Sequence, residues 1–369
     1  MTPIRILQFI GSLGVGGSQN MLINIHKHIN KDKIQFDYVL DHYGIEHESY
    51  VKTVKDLGAK VFYLPTFKGY NFFEIISAWK KMFVQHPEYR IIHSHVRSYA
   101  SIVLLIAKKY GIKSIIHSHS INNGNGIEAF IKKILQYPLS YIADYFFACS
   151  DEAGKWLFGK KIVKQSNYKV IPNAIDVEKY KFNLIIRKEY RKKLGVSEDT
   201  KVYVHVGRFH ESKNHKFLLD LFSEIHKNNQ NSILVLIGDG ELRSQIEKQT
   251  KELNLNNKVN LLGVQDNVNC WLQAADCMLF PSLWEGLGIV AIEAQAAGIP
   301  CICSEFIPKL VSVSNNCKFI PLNKELWLNE ILNIDYTRAD NSRTIQKAGF
   351  DIKTTSNYLT EFYKGLSCG

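Results

Sequence analysis

Residues 281–304, PSLWEGLGIVAIEAQAAGIPCICS, hold the end of one apolar run, a glycine loop, a helical pattern and the start of another apolar run. Gly286 and Gly288 suit a loop leaving CMLFPS (277–282). From Ile289 the pattern is helical, with Ala294, Ala296 and Ala297 allowing close packing before PCICS (300–304). A strand, a tight loop, a helix and another strand make a β-α-β unit, which implies a parallel sheet. The same alternation extends outward through KVYVHVGR (201–208), a helix over 215–228, SILVLIGDG (232–240), a helix over 241–253 and KVNLLG (258–263).

It also fills the first half: IRILQFI (4–10), a helix over 19–29, FDYVLDH (36–42), a helix over 48–57, KVFYLP (60–65), RIIHSH (90–95), a helix over 99–110, KSIIHSH (113–119), an amphipathic stretch over 126–143 and DYFFACS (144–150). The halves meet near VIPNAIDVEKY (170–180), where Pro172, Asn173 and Asp176 carry turn chemistry. The fold class is therefore α/β, with two doubly wound domains expected over 1–174 and 175–349. A last helical pattern runs over 350–369. A chain of 369 residues that is 46% hydrophobic is long for one core and sufficient for two.

No apolar run approaches the ~18 residues of a membrane-spanning helix; the longest clear one is Ala100 to Ala107. The opening MTPIRILQFIGSLG runs into glycines without a cleavage site, so it reads as a buried strand and the protein is expected to be cytoplasmic. Seven cysteines without a C-x-x-C spacing fit a reducing compartment, and Cys149, Cys277, Cys301 and Cys303 read as small core hydrophobes. The net charge of +11 is concentrated between Lys155 and Lys193, where twelve Lys and Arg face three acids. Such a segment is either a solvated face or an attractor for a nucleotide diphosphate, a lipid diphosphate or an anionic membrane. No nucleic-acid-binding module surrounds it.

The candidate chemistry sits where strands end. Glu285 precedes the loop and Glu293 lies on the helix that follows. A helix start offers unpaired N–H groups to an anion, and carboxylates accept from hydroxyl-rich ligands. In VHVGRFHESKNHKF, Gly207 ends a strand and Arg208 and Lys213 follow, a fork and a point charge suited to a diphosphate. Gly238 and Gly240 in LIGDGELR and Gly263 in LLGVQDNV end the next strands. Successive carboxyl ends of one doubly wound sheet surround one crevice. In GSLGVGGSQNMLINI, Gly16 and Gly17 stand between strand and helix. A dinucleotide fingerprint starting at Gly14 fails because Gln19 occupies the third glycine position, although Asp41 is loosely placed for a ribose. Two HSH triplets, His93 with His95 and His117 with His119, place four imidazoles at neighbouring strand ends. A four-His metal site is conceivable there, but no carboxylate or cysteine recurs beside them, and one functional histidine among packed ones is the better reading.

Together GVGGSQ (14–19), IIHSHS, VIPNAID, VGRFHESKNH, LIGDGELR and the paired-glutamate stretch resemble glycosyltransferase family 4, especially its bacterial exopolysaccharide and capsule members, over nearly the whole chain. The resemblance implies a GT-B fold, two Rossmann-like domains facing a central cleft, with the last helix packing back on the first. It implies acceptor binding by the N-terminal domain and nucleotide-sugar binding by the C-terminal one. By resemblance, Arg208 and Lys213 hold the donor diphosphate and Glu293 the ribose hydroxyls. Glu285 with the backbone of Gly286, Leu287, Gly288 and Ile289 holds the sugar and its phosphate. Gly207, Gly238 and Gly240 line the donor site, and the loop from Gly263 through Val264 meets the base. Gly16 and Gly17 form the facing glycine loop. His119 matches the active-site histidine, with His117 its close competitor. The sequence LGIV after Gly286 departs from the proline that many relatives carry, which weakens the sugar assignment most.

The implied reaction is retaining transfer of a hexosyl group from a UDP-sugar, without metal or cofactor. The acceptor is a saccharide or a polyprenyl-diphosphate-linked saccharide, and the enzyme is either free in the cytoplasm or peripheral at the inner face of the membrane. The amphipathic stretch over 126–143 is either a membrane contact or a core-facing helix. Two other classes stay open: an NAD-type Rossmann enzyme and a non-catalytic nucleotide-sugar-binding protein.

Overall fold

Strand formation follows the apolar runs closely. The computed structural model describes residues 2–14, 17–42, 47–119 and 126–367, with the side chains of 126–129 excepted. The chain divides into two compact units, one of residues 1–174 with 351–369, the other of residues 175–350.

In the first unit, β1 (Ile4–Phe9), β2 (Ile34–Leu40), β3 (Val61–Tyr63), β4 (Ile91–Ser94), β5 (Lys113–Ser118), β6 (Tyr145–Ala148) and β7 (Tyr168–Val170) form a parallel sheet in the order β3-β2-β1-β4-β5-β6-β7. Both faces are covered by helices, so β2 is buried along its full length, as a parallel strand in a doubly wound sheet must be. The helix Ile352–Ser367 belongs to this unit. Its Tyr363 hydroxyl lies 2.7 Å from His93 Nδ1, and its Phe362 ring meets Tyr145 edge-on at 5.2 Å. Asp37, on β2, is a buried carboxylate with every partner it needs: Arg5 in a two-pronged pair at 2.5 Å, the Tyr89 hydroxyl at 2.8 Å and the Lys60 N–H at 2.6 Å.

In the second unit, β8 (Lys201–Val206), β9 (Ser232–Ile237), β10 (Val259–Gly263), β11 (Cys277–Phe280), β12 (Cys301–Ser304) and β13 (Cys317–Ile320) form a second parallel sheet, ordered β10-β9-β8-β11-β12-β13. The helix Leu184–Leu194, absent from the sequence reading, has local signals at both ends. Asn183 Oδ1 accepts from the N–H groups of Ile185 and Ile186, and Gly195 closes it in the left-handed region. The amphipathic stretch over 126–143 is not one helix but two, Gly126–Gln136 and Leu139–Ile142, separated at Pro138. Phe130, Ile131, Ile134, Tyr137 and Tyr141 are exposed there, while Leu139 and Ile142 are buried. Among the described residues no helix is long and apolar enough to cross a membrane.

Part of the basic segment is structural. Arg191 is buried and donates to the carbonyls of Ala274, Ser197 and Thr200 and to Asp276, while Arg187 donates to the other Asp276 oxygen at 2.7 Å. These bonds tie the helix Leu184–Leu194 to the start of β11. Removing one partner of a buried, multiply bonded charge costs about 3–5 kcal/mol. Arg191→Met should therefore lower unfolding free energy by about 3 kcal/mol, read by urea denaturation, whereas Lys192→Met on the exposed face should change it little.

Candidate active site

The second sheet reverses its winding between β8 and β11: β9 and β10 extend one way from β8, and β11, β12 and β13 the other. Ligands of open parallel sheets bind outside the carboxyl ends at such a switch point. Four of the segments picked out in the sequence end there, and backbone bonds join them. The Gly207 N–H donates to Ile237 O, Gly238 N–H to Gly263 O and Phe209 N–H to Asp239 O, all at 2.9 Å. Leu283 N–H donates to Ser212 O at 2.7 Å, joining the loop after β11 to the loop after β8.

Gly238 has φ of +137°, and a Cβ there would lie 2.0 Å from Gly207 O. No side chain fits, so the β8 and β9 loops touch only because this residue has none. Gly288, at φ of +87°, turns the chain into the helix Ile289–Ala296, and no side chain caps that helix. Without a side-chain cap, its first N–H groups suit an anion. Gly286 is exposed beside it, Leu287 turns into the core, and Ile289 is partly exposed. Gly240 packs against the Phe209 backbone, Gly263 ends β10, and Val264 is exposed after it.

Lys213, at the end of the short 3-10 turn Glu211–Lys213, crosses the switch point. Its Nζ lies 2.5 Å from Glu285 Oε1, which also accepts from the Ser282 hydroxyl at 2.7 Å. The pair is partly shielded, with side-chain exposures of 17% and 12%, and the ammonium also sits 5.3 Å from the Phe280 ring. Arg208 differs: its side chain is 73% exposed and meets Glu241 at 3.3 Å. A solvent-exposed pair of that kind is worth little, so the guanidinium can leave Glu241 for a better anion. The two cations expected from the sequence are thus both paired, one firmly and one loosely.

Glu293, one turn into the helix Ile289–Ala296, accepts from the Tyr180 hydroxyl at 2.8 Å. Burial pushes its carboxyl up to about 7, against the opposing pull of the Tyr180 bond. Tyr180 was missed in the sequence; the only signal was an aromatic residue closing VIPNAIDVEKY.

In the first unit, Gly17 opens the helix Gly17–His28 and is exposed, with the Asn173 side chain 3.7 Å from where its Cβ would be. Gly16 lies outside the described residues. Asp41 is buried and accepts from the Tyr99 hydroxyl at 2.5 Å and from His42 at 2.6 Å. With its oxygens so engaged it does not offer the ribose contact that a dinucleotide site needs. His117 is fully buried, whereas His119, past the end of β5, is partly exposed. His119 Nε2 lies 2.7 Å from His95 Nδ1, and His95 Nε2 lies 3.0 Å from Gln8 Oε1. Burial, with repulsion from Arg97, lowers His119 to about 3, and burial lowers His93 to about 3. His93, His95 and His117 have ring nitrogens within 4.8 Å of one another. Their rings are stacked, His93 over His117 at 9° and over His95 at 25°. In-plane lone pairs of stacked imidazoles run side by side and do not converge on one ion, so packed neutral histidines describe this cluster better than a metal centre.

Two doubly wound parallel units, one with a charged pair and an open helix start at its switch point, have the architecture of a GT-B glycosyltransferase. Residues 15–179 match the family model described as Glycosyltransferase Family 4, and residues 186–319 the one described as Glycosyl transferases group 1. The chain belongs to glycosyltransferase family 4. EpsF of Bacillus subtilis (strain 168), named as a glycosyltransferase, is 29% identical over 83% of this chain and 80% of its own. An Escherichia coli UDP-Gal:alpha-D-GlcNAc-diphosphoundecaprenol alpha-1,3-galactosyltransferase is 25% identical over 78% of each chain. The crystal structure of Anabaena Alr3699/HepE in complex with UDP and glucose shares the fold, with a TM-score of 0.78, 19% identity and coverage of 98% of this chain and 100% of that one.

The Glu293 carboxyl gives a signed pH prediction. An unfolded glutamate titrates near about 4.3, and the folded one is pushed up to about 7. The folded state therefore holds the extra proton between those values, and stability is lost as pH rises through that window. Glu293→Gln should melt increasingly higher than the wild type as pH rises from 4.5 to 7 and by a constant margin above 8. A margin that does not change with pH contradicts the assignment.

Proposed function

We propose that this chain is a retaining hexosyltransferase that moves a sugar from a UDP-sugar to a lipid-linked saccharide during bacterial polysaccharide assembly. The observation that carries the reading is the Lys213–Glu285 pair bridging β8 and β11, next to the uncapped helix that bears Glu293. Names of relatives support the direction: CapH of Staphylococcus aureus, a capsular polysaccharide biosynthesis glycosyltransferase, is 22% identical over 98% of both chains. The E. coli relative's name includes a UDP-sugar and a diphosphoundecaprenol acceptor.

In this proposal the ribose hydroxyls donate to Glu293, which Tyr180 orients. The diphosphate lies against Lys213, Arg208 and the N–H groups from Gly288 onward. As the anomeric bond breaks, negative charge grows on the departing phosphate and positive charge on the sugar ring. Cations and amide dipoles fixed beforehand stabilise that growing charge more than the ground state. The anion releases Lys213 from Glu285, whose carboxylate then accepts from sugar hydroxyls. Two protein cations and a helix start supply the charge a divalent metal would otherwise supply, so no metal is required. Front-face attack assisted by the departing phosphate gives retention. The first unit binds the acceptor, with His119 and the Gly17 helix start as its contacts.

Lys213→Ala and Glu293→Ala should each reduce transfer by at least a hundredfold without lowering the melting temperature by more than a few degrees. EDTA should leave turnover unchanged. UDP at about 100 times its dissociation constant should stabilise the fold by about 2.7 kcal/mol, and NAD should not. Donor binding without transfer or hydrolysis would instead favour a non-catalytic binding protein.

A membrane-linked acceptor also fits the exposed Phe130, Ile131, Ile134, Tyr137 and Tyr141, which lie close in sequence to Lys132 and Lys133. Flotation with phosphatidylglycerol vesicles should be seen at low salt, fall with added salt, and fall at least tenfold in Phe130→Ser/Ile134→Ser. Equal flotation of the variant would remove this surface from the proposal.

A further inference from the structure

Three thiols converge in the second unit in a way the proposed transfer reaction does not use. Cys301 and Cys303 are two residues apart on β12, so alternation points both to one face of the sheet. Cys317 opens β13 and is the register partner of Cys301, which places it on that same face. Cys301 Sγ lies 3.6 Å from Cys303 Sγ, and Cys303 Sγ lies 3.8 Å from Cys317 Sγ. All three sulfurs fall within 4.8 Å of one another. No disulfide joins them. Cys301 and Cys303 are fully buried, and Cys317 keeps only a small exposed edge.

We propose that Cys301, Cys303 and Cys317 form a three-thiolate site for a soft monovalent cation, Cu(I). Thiolate sulfur binds a closed-shell cation such as Zn(II) at about 2.3 Å. Three sulfurs arranged trigonally at that radius are separated by about 4.0 Å. The thiols therefore already stand within a few tenths of an ångström of the required spacing along two of the three edges. The donor set selects the ion. Soft sulfur favours Cu(I), and three ligands without a histidine, carboxylate or fourth cysteine in the group leave Zn(II) short of its tetrahedron.

Lys309 lies close enough to Cys317 to attract negative charge there. The Lys309 ammonium, 3.5 Å from the Phe319 ring, offsets part of the negative charge left when three thiolates meet one monovalent ion. On binding, each thiol proton still present passes to solvent and three Cu–S bonds form, with no change of oxidation state. Cys317, the residue with an exposed edge, is the point of entry.

The experiment is an anaerobic competition titration of the full chain with Cu(I) against bicinchoninate, followed by X-ray absorption of the loaded wild type. It needs no transferase activity, so its outcome is independent of the function proposed above. One Cu(I) per chain with three sulfur neighbours is expected. Cys303→Ala and Cys317→Ala should each weaken binding at least a hundredfold, while Cys149→Ala, in the other unit, should leave it unchanged. The wild-type absorption spectrum stands on its own if a variant folds poorly. Two-sulfur coordination, preference for Zn(II) over Cu(I), binding that survives both cluster variants, or no retained copper would each overturn the proposal and leave the three thiols as core packing.

Discussion

A single ion pair, Lys213 with Glu285, joins the loops on which the proposed chemistry turns. The two residues come from loops after β8 and β11, the neighbouring strands between which the second sheet changes winding direction. Partial burial makes the pair stronger than a surface bridge, because less water screens it. It also holds the ammonium at the switch point until an arriving anion displaces Glu285 from it. Ser282 extends the arrangement: its hydroxyl donates to Glu285, and its carbonyl accepts from the Ser304 hydroxyl at the end of β12.

The charges around this pair are graded. Lys213 is held, Arg208 is loosely paired at the surface, and Glu293 sits where burial resists its ionisation. A nucleotide diphosphate sugar has matching parts, with a charged centre and hydroxyls on either side. Tyr180 supplies a bond that favours the Glu293 carboxylate, and it comes from the short helix Val177–Tyr180 at the start of the second unit. The orientation of the carboxylate proposed to bind the ribose thus depends on the segment where one unit gives way to the next in sequence.

The fold was largely readable because its determinants are local. Apolar runs ended by glycine at Gly207, Gly238 and Gly263 each became a strand with its loop at the carboxyl end. The family motifs followed for the same reason, since each lies within one strand and its loop. What stayed hidden depends on contacts far apart in the chain. Glu293 meets Tyr180 across 113 positions, and Lys213 meets Glu285 across 72. Arg191 looked like one charge in a basic run, yet it is buried because the carbonyls of Ala274, Ser197 and Thr200 fold around it. Cys317 joins Cys301 and Cys303 only once β13 has paired with β12. The histidines were found as a group, but their stacking, which argues against metal coordination, is a matter of ring orientation that no spacing encodes.

The central claim is that the second unit grips a diphosphate at the β8/β11 switch point. A crystal structure of the protein with UDP tests it most directly. The account predicts both phosphates within hydrogen-bonding distance of Lys213 Nζ, the Arg208 guanidinium or the N–H groups at the start of the helix Ile289–Ala296, with the ribose on Glu293. Phosphates bound elsewhere, with Lys213 still closed on Glu285 and Glu293 still meeting only Tyr180, would contradict it.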